Sequence, residues 1–191
     1  MKITIKKLTD WDLVLEMAMY TQGKSPKNQF PSSNWKRKTV KAQHSILRCL
    51  QFMIYIEDVP NYTHNHFVRH VHSQPFIASM RPDITGLASN DEITRNTPNN
   101  GCYMMSAQEF LNISYQRLCY KASKETREIW EAVVEEMRKI EPELVEFAVP
   151  NCVRLNMCPE YKSCGFTEGK KYLEEVERIR KITLDTFQHS W

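Results

Sequence analysis

The sequence predicts an α+β fold. Helical patterns outnumber strand patterns, and the strand patterns fall mostly in the first half of the chain. The length of 191 residues suits one domain, 1–191, able to bury a sizeable core without disulfides.

Ile3 and Ile5 alternate with Lys2, Thr4 and Lys6, which predicts a strand over 2–8. Thr9 and Asp10 offer N-caps for a helix over WDLVLEMAMYTQ, closed by Gly23. Residues 24–38 hold two prolines and many polar residues and predict an exposed loop, with a helix following at 39–49. The run LQFMIYIED (50–58) is dense in β-formers and stops before Pro60, a second strand. Residues 61–73 read as helical and PFIASM (75–80) as a strand. From Arg81 to Gly101 the chain is polar and punctuated by Pro, Asn and Gly, which predicts a long loop of the kind that often carries function.

Ser106-Ala-Gln-Glu109 is a capping box. It opens a helical region that runs, with a break near Ser123, to about Ile140. Glu141-Pro142 starts a short helix, and 151–165 predicts an irregular Cys-rich tail. Residues 168–187 form an amphipathic helix with Tyr172, Val176, Ile179 and Ile182 on one face.

A formal charge of +3 is too small to argue for a nucleic-acid partner, but it allows a local basic pocket for a small anion. No apolar run approaches the roughly 18–20 residues of a membrane span. The N-terminus MKITIKKLTDWD has no apolar core of a secretory signal, so a cytoplasmic chain is expected.

The densest chemistry lies in HNHFVRHVHSQPFIASMR (64–81), which holds four of the six histidines. On a helix His66 and His70 share a face and could share a metal, whereas His64 and His72 point elsewhere. No H-E-x-x-H pattern is present, and no Asp or Glu lies between Pro60 and Pro82. The arginines offer another reading: Arg69 and Arg81 flank a short strand with Ser79 between them. Guanidinium forks bind phosphate bidentately, and a serine hydroxyl adds a donor.

Arg69-His70-Val71, seven residues, then Ser79 resembles the R-H-R-x7-S signature of flavin-dependent thymidylate synthases, with valine in place of the second arginine. Asn112, Arg117 and Cys119, followed by Ala122, Glu125 and Arg127, resemble the family's N-x3-[LQ]-R-x-C-x2-A-x2-E-x-R helix. Pro150-Asn-Cys152, Cys158-Pro-Glu160 and Cys164-Gly165 resemble the tail of some bacterial and phage-type members. His44 stands 25 residues ahead of Arg69, where the family places a flavin-contacting histidine. These matches occur in the family's order and cover roughly 40–165.

The resemblance implies a compact antiparallel sheet packed with helices, like that of thymidylate synthase complementing proteins. It implies conversion of dUMP to dTMP, with reduced FAD supplying hydride, methylenetetrahydrofolate the carbon, and NADPH the electrons. It implies a homotetramer that shares its active sites between subunits. Arg117 and Arg69 become the catalytic pair. His66, Ser79, Met80, Arg81 and Arg95 join them around the nucleotide. His44, His70, Val71 and Asn112, with Arg69, fall at the flavin. Three positions depart from the pattern: Val71 removes a cation, Ile77 replaces a glutamate, and His66 replaces a glutamine. Two alternatives follow from them: a pyrimidine nucleotide 5-hydroxymethylase, or a non-catalytic nucleotide-binding homologue that has lost flavin.

Cys152, Cys158 and Cys164 are evenly spaced. With Cys119 as fourth ligand they would form a structural zinc site that pins the tail to the helix carrying Arg117. The alternative is free thiols packing as small apolar groups.

Overall fold

The computed structural model describes residues 1–25, 29–86 and 92–187. Its sheet is antiparallel and four-stranded, in the order β1-β2-β4-β3. The strands are β1 (Lys2–Lys7), β2 (Gln51–Pro60), β3 (Gln74–Ile77) and β4 (Pro98–Ser106). The period-2 pattern sets the register. Phe52, Ile54 and Ile56 of β2 are fully buried, and Met105, Tyr103 and Gly101 of β4 lie opposite them. Ile5 and Ile3 face Ile54 and Ile56 from the other side.

Helices close over this apolar face. Helix α1 (Trp11–Tyr20) is capped by Asp10, whose carboxylate accepts from the Trp11 amide. Thr9 does other work: its hydroxyl donates to the Cys49 carbonyl at 2.5 Å and accepts from the Gln51 amide at 2.8 Å. Helices α2 (Ser33–Lys41), α3 (Asn61–Phe67) and α4 (Pro82–Thr85) precede β4. The long helices α5 (Ala107–Arg117) and α6 (Lys124–Arg138) then break around Ser123, as the sequence predicts. They lock together through Trp130, whose indole donates to Ser114 at 3.0 Å and packs on Phe110 and Phe67 with ring centroids 5.6 and 5.7 Å away. The short α7 (Pro142–Val145) and α8 (Asn151–Leu155) lead to α9 (Lys170–Phe187). Tyr172 and Ile179 of α9 are buried, and Val176 and Ile182 pack partly against the core. Among the described residues no helix is long and apolar enough to cross a membrane.

The architecture is the α+β class expected, with differences in detail. Residues 33–38 are helical where a loop is predicted, because Ser32 caps the Trp35 amide at 3.3 Å and Trp35 packs edge-on against Trp11. The helix predicted at 39–49 is the end of α2 followed by a 3-10 turn over Ser45–Cys49. Helix α3 stops at Phe67, and α8 occupies the start of the segment read as irregular.

The largest difference is β4, which begins inside the predicted loop; residues 87–91 of that loop lie outside the described residues. Pro98-Asn-Asn-Gly has low strand propensity. Tertiary bonds place it instead. The Asn99 amide donates to Asn61 Oδ1 and the Ala78 carbonyl at 2.9 and 3.2 Å, and Asn100 Oδ1 accepts from the Asp58 amide at 2.8 Å.

Gly101 is needed for close approach. A Cβ there would lie 2.6 Å from His64 Cε1 and 2.9 Å from Ile77 Cδ1. We predict that Gly101→Ala lowers unfolding stability by about 1–3 kcal/mol through overpacking. Urea denaturation checks this, and a midpoint equal to wild type would contradict it.

Candidate functional site

The site is built on α3 and the turns after it. His64 is buried, with Nδ1 2.6 Å from the Tyr103 hydroxyl and Nε2 3.4 Å from the Asn99 carbonyl. Phe67 is 1% exposed and sits edge-on against Tyr103. Anchoring of this kind is worth about 3–5 kcal/mol per large aromatic. The turn that follows is closed by the Ser73 amide and hydroxyl, both donating to the His70 carbonyl, at 3.0 and 2.9 Å. Residues 69–72 are thereby held against α5.

Arg117, at the C-terminal end of α5, reaches into this turn. Its Nε donates to His70 Nε2 at 3.0 Å and its Nη2 to the His66 carbonyl at 2.7 Å. Burial, and secondarily the charge of Arg69, lowers its pKa below the ordinary arginine value. No carboxylate pairs with it among the described contacts, so it is not the surface salt bridge to Glu109 or Glu125 that a lone helical arginine would suggest. Burial and Arg117 together depress His70 to about 4. His70 is therefore neutral near pH 7. Because Nε2 accepts from Arg117, the ring proton sits on Nδ1, which lies 4.0 Å from Glu109 Oε1.

Glu109 is half of the expected capping box. Its amide donates to Ser106 Oγ at 3.3 Å, but its buried carboxylate turns to Asn112, accepting from Nδ2 at 3.0 Å. It thus lies between His70 and Asn112 and is hydrogen-bonded to Asn112, a placement that the box motif does not reveal.

His66 sits among cations. Burial lowers its pKa first, then the charges of Arg117, Arg69 and Arg95. Its Nδ1 lies 2.6 Å from the Thr126 hydroxyl. Arg95 stacks over Tyr62, 4.6 Å from the ring centroid. The charges of Arg69, Arg95 and Arg117 thus act on one imidazole against the carboxylate of Glu125, a net positive composition suited to an anion.

Two cavities meet along α5. One of about 430 Å³ runs past Arg48, Gln51, Gln74 and Gln108, and the other, about 360 Å³, past Arg69, Val71, Gln116 and Arg154. His72, Glu109 and Asn112 line both. Amides, the His72 imidazole and the buried Glu109 carboxylate line this groove, with Arg48 in one cavity and Arg69 and Arg154 in the other.

Other predicted residues lie apart. Ser79, Met80 and Arg81 follow the edge strand β3; Ser79 Oγ accepts from the Arg81 amide at 3.2 Å, and Arg81 pairs with Asp83 at 2.6 Å. His44 caps the 3-10 turn, accepting from the Ile46 amide at 3.4 Å, and opens into a different cavity shared with Met19 and Trp35. Val71 is 79% exposed at the groove.

The cysteine expectation needs correction. Cys119, Cys152, Cys158 and Cys164 are free thiols that lie near enough to feel one another's charge. Among the described residues, however, no group of three or more His, Cys, Asp or Glu could hold a metal ion. Burial, and secondarily the other thiols, raises the pKa of Cys119 and of Cys152, which favours thiol over thiolate. Aromatic packing docks the tail instead: Phe166 lies 4.8 Å from the Tyr120 ring and 5.9 Å from Tyr172.

No protein-family model and no curated protein sequence matches the chain. Solved structures do. A flavin-dependent thymidylate synthase ThyX from Helicobacter pylori, complexed with FAD and dUMP, aligns with a TM-score of 0.59 at 13% identity, covering 78% of this chain and 100% of that one. A second structure of the same enzyme with both ligands gives 0.60 at 13% identity, over 78% and 99%. The UMP/dUMP methylase PolB from Streptomyces cacaoi, bound with 5-Br dUMP, gives 0.58 at 12% identity, over 76% and 94%. The chain therefore has the fold of the flavin-dependent thymidylate synthases.

His70 carries a pH prediction. Its pKa falls from 6.5 to about 4 on folding, so the unfolded chain binds more protons between those values. The stability it contributes is present above about pH 6.5 and is lost as pH falls through 4. His64 and His66 shift in the same direction. We predict that His70→Gln loses less stability than wild type between pH 7 and 4, by about 3 kcal/mol. Unfolding curves across that range check it; parallel losses in the two proteins would contradict it.

Proposed function

We propose that this chain is a flavin-dependent enzyme that methylates C5 of a uracil deoxynucleotide, turning dUMP into dTMP. One observation carries the reading: a half-buried Arg117, held by neutral His70 and the His66 carbonyl, converges with Arg69 and Arg95 at His66, where three cations face the single carboxylate charge of Glu125. The similar folds belong to proteins whose structures hold FAD with dUMP, or a brominated dUMP.

In this reading Arg117 donates to the pyrimidine edge and stabilises negative charge on the activated base. Neutral His70 fixes the guanidinium plane. Arg69 lies between nucleotide and flavin. His66, Ser79, the Met80 backbone, Arg81 and Arg95 surround the nucleotide and its phosphate. His70, Asn112 and Val71 line the flavin groove, with His44 a further flavin contact. FAD, when bound and reduced by NADPH, supplies hydride, and methylenetetrahydrofolate supplies the carbon.

The same reading includes a homotetramer. Ser79–Arg81 and His44 line neither cavity along α5, so a neighbouring subunit would bring such residues to each site. Val71, Phe76 and Ile84, which flank or belong to edge strand β3, expose 79%, 59% and 63% of their surfaces, as suits a subunit interface.

Purified protein should carry a flavin spectrum and release tritium from [5-³H]dUMP, because substitution at C5 expels that hydrogen. Mass spectrometry should find a product heavier than dUMP by one methylene; a 5-hydroxymethyl product would replace this reading with the hydroxymethylase. Protein that binds dUMP but no FAD, and releases no tritium, would identify a non-catalytic homologue. Arg117→Ala should lower turnover by about 100-fold or more while the fold persists.

A further inference from the structure

A cation outside the arginine cluster enters the flavin groove from α8. Arg154 lines the 360 Å³ cavity together with Arg69, Val71 and Asn112. Its side chain is held by neutral groups. Nε and Nη2 both donate to Asn151 Oδ1, at 2.9 and 2.8 Å, and the guanidinium carbon lies 4.8 Å from the centre of the Tyr115 ring. The Tyr115 hydroxyl is itself fixed by Gln43 Nε2 at 2.5 Å. By contrast, Arg37, Arg138 and Arg178 close on Glu146, Glu135 and Glu175. An amide oxygen and a ring face orient a guanidinium without neutralising it, so the charge remains available to a ligand. Across the same cavity wall stands Val71, apolar and exposed, which can offer an anion nothing.

We propose that Arg154 binds the phosphate-bearing part of the flavin dinucleotide, supplying from α8 the positive charge that the segment Arg69-His70-Val71 lacks at its third position. The inference rests on the flavin reading above. It assigns the missing charge to a side chain about 80 residues further along the sequence, carried on a different element.

The test is binding: FAD and riboflavin are titrated separately by flavin fluorescence, and dUMP by isothermal titration calorimetry. Arg154→Ala should raise the Kd for FAD about 10- to 100-fold, the range expected for a charge-assisted bond. Riboflavin, which has no phosphate, and dUMP should bind as to wild type. Adding Val71→Arg to Arg154→Ala should restore most of the FAD affinity. Arg154→Lys, which keeps the charge, should lose less than Arg154→Ala and serves if the alanine variant fails to fold. Unchanged FAD affinity in Arg154→Ala would overturn the proposal. So would an equal loss of riboflavin, which would mean a packing role, or a loss confined to dUMP, which would place the phosphate contact on the nucleotide. Wild-type protein that binds neither flavin would overturn the flavin reading itself and this inference with it.

Discussion

A guanidinium taken half out of water needs partners, and Arg117 finds only neutral ones. A carboxylate would stabilise it more simply, but would also cancel the charge. The His70 imidazole and the His66 carbonyl satisfy its donors and leave its field intact. This works only while His70 is unprotonated, because an imidazolium has no lone pair to accept with. Burial and the neighbouring arginine both push the imidazole toward that state. The cation and the neutral base are therefore mutually consistent, and the arrangement keeps a positive charge half-buried beside the turn that follows α3.

The surrounding fold keeps this pair in place. His64 against Gly101 and Phe67 against Tyr103 and Trp130 fix α3, and the Ser73 turn fixes His70. Helix α5 carries Glu109, Asn112 and Arg117 on successive turns, so its position sets the groove and the arginine together. The bonds of Arg117 and His66 run between α5, the segment 66–70 and α6, which the packing of Phe67, Phe110 and Trp130 already brings together. That makes the site stiff without requiring strain within it.

Periodicity makes part of this legible in the sequence. Alternation at 2–8 and the β-rich run at 50–58 give β1 and β2, and the capping serine and the break near Ser123 give α5 and α6. β4 escapes that reading because its first residues, Pro98-Asn-Asn-Gly, are turn formers held as strand by Asn61, Ala78 and Asp58. α2 escapes because its sequence is mostly polar and its anchor, Trp35, meets Trp11 only in three dimensions. The meeting of Arg69, His70 and Arg117 is legible only through the resemblance, since nothing in local spacing joins residues 47 positions apart. The buried turn of Glu109 and the neutral seat of Arg154 have no local signature at all. Cysteine spacing identifies thiols that can approach one another, but not whether their sulfurs converge on a single point.

The protonation of one ring tests the central claim most directly. Nitrogen-15 NMR of histidine-labelled protein at pH 7, with His70 assigned by substitution, reports the state of each ring nitrogen. The account predicts a neutral ring with the proton on Nδ1 and a hydrogen-bonded, unprotonated Nε2. An imidazolium, or a proton on Nε2, would mean that Arg117 is not held in this way, and the charge arrangement on which the site depends would not exist.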